Sequence, residues 1–133
     1  LDAHLLIADT GIHGHTREAI KKVESLGQEA LPLLQELGNL TKIVEKAIQL
    51  KDLLTMGQAM TKAHGKLAQL GVSCQLSDDL VELALENGAL GAKMSGGGLG
   101  GCVIVLIKEK KEAEDLARLL REKGASNIWI ESL

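Results

Sequence analysis

Five of the six residues from Gly96 to Gly101 are glycine, with Leu99 the exception, and Ser95 stands just before them. Glycine is the costliest residue to order, so such a run implies that the backbone itself has a task. Bare N–H groups can turn to one side and approach a ligand with no Cβ in the way. That is how a nest for an anion, most often a phosphate, is built. Ser95 adds a hydroxyl that can donate to a phosphate oxygen, and Lys93 adds a point charge. Strand alternation puts Lys93 and Ser95 on one face.

A second group with chemical potential runs from Asp9 to Arg17. It lies where a strand ends and a helix begins. Arg17 carries a planar fork suited to a carboxylate or phosphate, and a helix N-terminus adds backbone donors. Thr16 is the expected N-cap of that helix. His13 and His15, with His4 and His64, have no supporting acid or Cys at a ligand spacing, so no metal site is assigned to them. Asp78 and Asp79 fit a helix start better than a metal.

The elements around these groups follow from pattern. His4 to Ala8 is an apolar strand, and Asp9 to His15 a glycine-bearing loop. Helices are expected through Ala19, Ile20, Val23 and Leu26, closed by Gly27, and over a short face of Leu33, Leu34 and Leu37 closed by Gly38. Leu40 to Ile48 gives a further helical stripe. Asp52 is the cap of the next one, which carries Met56, Met60 and Leu67, and Ser77 the cap of another. Ala92 to Ser95 and Cys102 to Ile107 are the strands flanking the glycines. A helix from about Lys111 to Lys123 and a last strand, Ile128 to Ile130, complete the chain. The order predicts an α+β fold: a ferredoxin-like four-stranded antiparallel sheet with helices packed on one face.

Composition narrows the function. The 133 residues carry a net charge of -3 and include one Trp but no Tyr or Phe. Base-stacking platforms and basic stripes are missing, which argues against a nucleic-acid partner. No apolar run approaches membrane-spanning length, so no membrane partner is expected. Cys74 and Cys102 have neither metal nor redox spacing; Cys102 opens an apolar strand and reads as a buried small hydrophobe, and reduced cytoplasmic thiols are the simplest account.

Gly96, Gly98 and Gly101 satisfy G-x-G-x-x-G, but a β-branched strand follows where a dinucleotide fold needs a helix. No Lys-Ser or Lys-Thr follows the last glycine, so the P-loop pattern fails too. The loop is longer than a hairpin requires, which favours an anion or nucleotide role over a plain connector.

The segment Gly91 to Cys102, GAKMSGGGLGGC, resembles the third motif of the GHMP kinase superfamily. Ile7 to Ala19, IADTGIHGHTREA, resembles a segment typical of its mevalonate kinase family. The likeness covers residues 1–133 as a GHMP kinase C-terminal domain and looks closest to bacterial, streptococcal-type enzymes. One departure is Leu99, where many members carry glycine.

The resemblance implies an enzyme of isoprenoid biosynthesis and lipid metabolism, passing the γ-phosphoryl of ATP, with Mg²⁺, to mevalonate to give 5-phosphomevalonate. It implies that the catalytic residues, the main ATP loop and the magnesium belong to an N-terminal domain absent from this chain. The fragment alone would then be inactive, with no catalytic residue and no metal ligand. Ser95, Gly96, Gly97, Gly98, Gly100 and Gly101 would border the triphosphate, and Thr16 and Arg17 would lie near the substrate.

A start at Leu1 rather than Met fits a piece of a longer protein. A homodimer and a cytoplasmic location are further expectations. The rival functions are another GHMP kinase, acting on phosphomevalonate, homoserine or galactose, a non-catalytic anion-binding module of ferredoxin-like fold, or a helical dimerisation domain.

Overall fold

A computed structural model describes all 133 residues. In chain order the elements are β1 (His4–Asp9), α1 (Thr16–Leu26), a 3-10 turn (Gly27–Glu29), α2 (Ala30–Leu50), α3 (Leu53–Gln69), α4 (Gln75–Glu86), β2 (Gly91–Ser95), β3 (Cys102–Ile107), α5 (Lys110–Lys123) and β4 (Asn127–Ser132). The sheet order is β2-β3-β1-β4 with every pair antiparallel, the ferredoxin-like arrangement expected.

The apolar run of β3 is explained by its place. It lies between β2 and β1, and Val103, Val105 and Ile107 face α4 and α5 with no exposure. Leu80, Leu116 and Leu120 from those helices meet Leu6 and Val103 in the main core. Each such buried side chain contributes about 1.5–3 kcal/mol. The opposite face of β3 is partly covered too, because Leu106 packs with Met60 of α3 and Ala3.

Helix α3 runs along the outer side of β2. Gly57 of α3 meets Gly91 at the start of β2 so closely that a Cβ on either would overlap backbone of the other segment. Two β2 amides then find acceptors on α3: Ala92 N–H donates to Thr61 Oγ1 (3.3 Å) and Met94 N–H to His64 Nδ1 (3.0 Å). An edge strand is thereby closed to other chains.

Four local expectations are corrected. Gly38 does not end a helix, since α2 runs unbroken from Ala30 to Leu50. A mid-helix glycine costs only about 1 kcal/mol, which the apolar stripe on either side outweighs. His15, not Thr16, occupies the cap position of α1, and Thr16 is its first helical residue. Cys74, not Ser77, precedes α4, and Ser77 is fully buried in its first turn. Cys102 is half-buried rather than buried. Asp52 caps α3 as expected, accepting from Thr55 N–H at 3.2 Å.

Candidate functional site: a glycine loop against a helix N-terminus

The two segments singled out by residue type, about 80 positions apart in the chain, are in contact. Thr10 N–H and Thr10 Oγ1 both donate to the Gly101 carbonyl, at 2.9 and 2.7 Å. Gly101 N–H donates to the Ile12 carbonyl at 2.8 Å. Gly97 lies against the Thr16 hydroxyl, and Gly98 sits where a Cβ would stand 2.7 Å from that of Ala19. Gly98 also has a φ of +95°, so a larger residue there meets both a wall and a strained backbone.

Leu99 departs from the run for a visible reason. Its φ is +55°, its amide donates to the Val72 carbonyl at 2.7 Å, and its side chain joins the cluster of Ala19, Val72 and Met94. It anchors the crest of the loop inward. The amides of Gly96, Gly97 and Gly98 make no hydrogen bond inside the protein; Gly96 and Gly97 are exposed and Gly98 is half-buried, whereas Gly100 is buried against Ile12. Chemically this is a set of spare donors on a braced backbone, which suits an anion such as a phosphate.

The start of α1 adjoins these donors. Its cap residue His15 makes no side-chain capping bond, so the first-turn amides are open, and Thr16 and Arg17 are exposed beside them. A groove of about 310 Å³ runs between α1 and the loop, walled by Ala19, Val23, Val72 and Gly96 to Gly98. The N-terminus of α1 thus stands beside the spare amides of the loop, and Arg17 is exposed in the first turn of that helix.

Other candidates go elsewhere. Ser95 follows Met94 at the loop entrance and is half-buried. Lys93 shares the face of Ser95, but its ammonium donates to the Met94 carbonyl (2.8 Å) and it lines the groove beneath α2 and α3. Burial pulls that ammonium below the usual lysine range. Asp9 accepts from Gly11 N–H (2.8 Å) and pairs with His13 (2.9 Å), which shapes the loop before α1. Asp9 also faces Cys102 across the sheet. Burial, then the Asp9 charge, pushes the Cys102 thiol above its usual range. No three His, Cys, Asp or Glu side chains converge in a way that could hold a metal ion.

Sequence reasoning missed Ile12 and Val72, whose carbonyls hold the loop, because a main-chain acceptor leaves no mark on residue type. It weighed His64 only as a metal ligand. That side chain is buried between Met94 and Asp78.

Residues 44–126 match the family described as GHMP kinases C terminal. The chain belongs to that family. A mevalonate kinase from Aeropyrum pernix is 37% identical over 109 residues, covering 79% of this chain and 34% of that protein. The mevalonate kinase of L. major, solved in complex with R-mevalonate, superposes with a TM-score of 0.84 at 28% identity, covering 96% of this chain and 41% of that one. A phosphomevalonate kinase from Streptococcus pneumoniae, solved with phosphomevalonate and AMPPNP, gives a TM-score of 0.85 at 16% identity over 98% of this chain and 40% of that one, a likeness of fold alone.

The expected closeness to streptococcal enzymes is therefore not supported. The mevalonate kinase relatives of this GHMP domain are mostly archaeal. The chain spans roughly a third to two fifths of the length of the relatives it matches. No helix is long and apolar enough to cross a membrane.

Proposed function

We propose that this chain is the C-terminal domain of a mevalonate kinase, which passes the γ-phosphoryl group of ATP to the primary hydroxyl of mevalonate. The observation that carries the reading is the set of unbonded amides at Gly96, Gly97 and Gly98, held against the open N-terminus of α1. Relatives above 30% identity that are named mevalonate kinase support the choice of acceptor, and one named galactokinase, 35% identical, makes galactose the acceptor to test against it.

In this reading ATP supplies the transferable phosphoryl group, and the residues of this chain bind and orient it. The loop from Ser95 to Gly101 lies along the triphosphate, with its spare amides and the Ser95 hydroxyl donating to phosphate oxygens. Thr16 and Arg17 meet the acceptor, the Arg17 fork pairing with its carboxylate. Phosphoryl transfer depends mostly on positioning and on neutralising charge, so donors on a rigid backbone are the right equipment.

General acid–base work and magnesium binding fall to an N-terminal domain supplied by the remaining length of the protein. Ile7 and Trp129 are register partners on the sheet face that α4 and α5 leave uncovered, and they suit a contact with that domain.

The test is a coupled ADP-release assay of the complete protein with mevalonate, phosphomevalonate, homoserine and galactose. Turnover with mevalonate alone is expected. Arg17→Ala should raise KM for mevalonate by about tenfold or more, the size of a lost charged hydrogen bond, with folding intact. Turnover of another acceptor only, or unchanged kinetics in Arg17→Ala, would remove the corresponding assignment.

A further inference from the structure

His64 has a role that edge closure alone does not explain. It is 7% exposed, and both ring nitrogens are engaged. A backbone N–H can only donate, so Nδ1, which faces Met94 N–H at 3.0 Å, carries the lone pair. Nε2 therefore bears the proton and donates to Asp78 Oδ1 at 2.8 Å. The same carboxylate oxygen accepts from Ser73 Oγ at 2.7 Å. The carbonyl of the preceding residue, Val72, accepts from Leu99 N–H at 2.7 Å. A continuous path thus runs from Met94, one residue before the loop begins, through His64, Asp78 and Ser73, to Leu99 at its crest.

We infer that His64 is a positioning residue for the glycine loop, tying its entrance and its crest into one frame through Asp78 and Ser73. The inference rests on the proposed phosphate-binding role of the loop. The unbonded amides at Gly96, Gly97 and Gly98 can only converge on an anion if the backbone on both sides of them is held still. Leu99 and Gly101 amides hold the loop from below, and the His64 path fixes where those holds stand relative to β2. Thr61 supplies the natural contrast. It accepts the Ala92 amide on the same edge from the same helix, three residues earlier, but nothing links it to Val72 or Leu99.

The experiment compares His64→Leu, His64→Gln and Thr61→Val in the complete enzyme. Glutamine places an acceptor and a donor at the end of one side chain, as the imidazole does, so it should rescue. His64→Leu is expected to raise KM for ATP by about tenfold with KM for mevalonate changed by less than about twofold, the scale of a slightly misplaced reacting group. His64→Gln should recover to within about threefold of wild type. Thr61→Val should lose stability comparably but keep its KM for ATP.

Hydrogen exchange supplies a readout that needs no activity: the hydrogen-bonded amides of Leu99 and Gly101 should exchange about tenfold faster in His64→Leu and at the wild-type rate in Thr61→Val. If His64→Leu does not fold, Ser73→Ala, which cuts the same path at a half-buried hydroxyl, should shift both readouts in the same direction by about threefold. Equal loop exchange and equal ATP KM in the His64 and Thr61 variants would overturn the inference and leave His64 as an edge cap. A wild-type enzyme inactive on mevalonate would instead sink the proposed function, and the exchange data would still decide the role of His64.

Discussion

The two edges of the sheet are finished in different ways. On the β2 side a helix lies against the strand, and its Thr61 and His64 side chains accept the outward amides of Ala92 and Met94. On the β4 side the arrangement is local. Ile128 N–H donates to the side chain of its own neighbour Asn127 (2.9 Å), and Trp129, Glu131 and Ser132 are exposed. The bonds of the first edge cross about 30 residues of chain, and those of the second cross one. The long-range finish stands where the strand leads into the glycine loop. The difference teaches that rigidity has been placed at the loop and not spread evenly through the fold.

The contrast can be broken by substitution at either edge. The largest effect is expected for Gly91→Val, whose side chain would run into the Gly57 backbone of α3. Urea unfolding of the full protein should show a loss of about 3 kcal/mol, because backbone cannot give way as a side chain can. A loss below about 1 kcal/mol would mean that the helix and strand are not seated together as described. Thr61→Val leaves the Ala92 amide without its acceptor and should cost about 1–2 kcal/mol by the same measurement.

A smaller effect concerns Lys93 on the same strand. Burial holds its ammonium below the ordinary 10.5, so in the window just under that value the unfolded chain binds more protons than the folded one. Wild-type stability should therefore rise with pH through that window, and Lys93→Met should abolish the rise. A parallel pH profile in the two proteins would show that the side chain is solvated. Least of all, Glu131→Ala on the open edge should stay within about 0.5 kcal/mol of wild type; a loss near that of Thr61→Val would erase the distinction between the edges.

Much of the site was legible in residue order, but in separate pieces. The glycine run and its flanking strands could be placed because glycine and β-branched residues carry strong local preferences. Asp52 as a cap was legible for the same reason. Thr16 and Ser77 have the chemistry of caps, yet His15 and Cys74 hold those positions. A preference of about 1 kcal/mol is overruled when tertiary packing sets where the helix must begin. Gly38 failed as a helix stop for a related reason: the cost of about 1 kcal/mol for a mid-helix glycine is outweighed by the apolar stripe of α2 on either side of it.

The sequence by itself determined the element types, the antiparallel plan and the two stretches fit to meet an anion, since these depend on neighbours within a few residues. Only the tertiary structure decided that the stretches touch, that Leu99 folds inward onto Val72, and that His64 joins α3 to the loop. Those contacts are made by main-chain carbonyls and by side chains far apart in the chain. A carbonyl is present at every residue, so its use becomes visible only when the fold brings a donor to it.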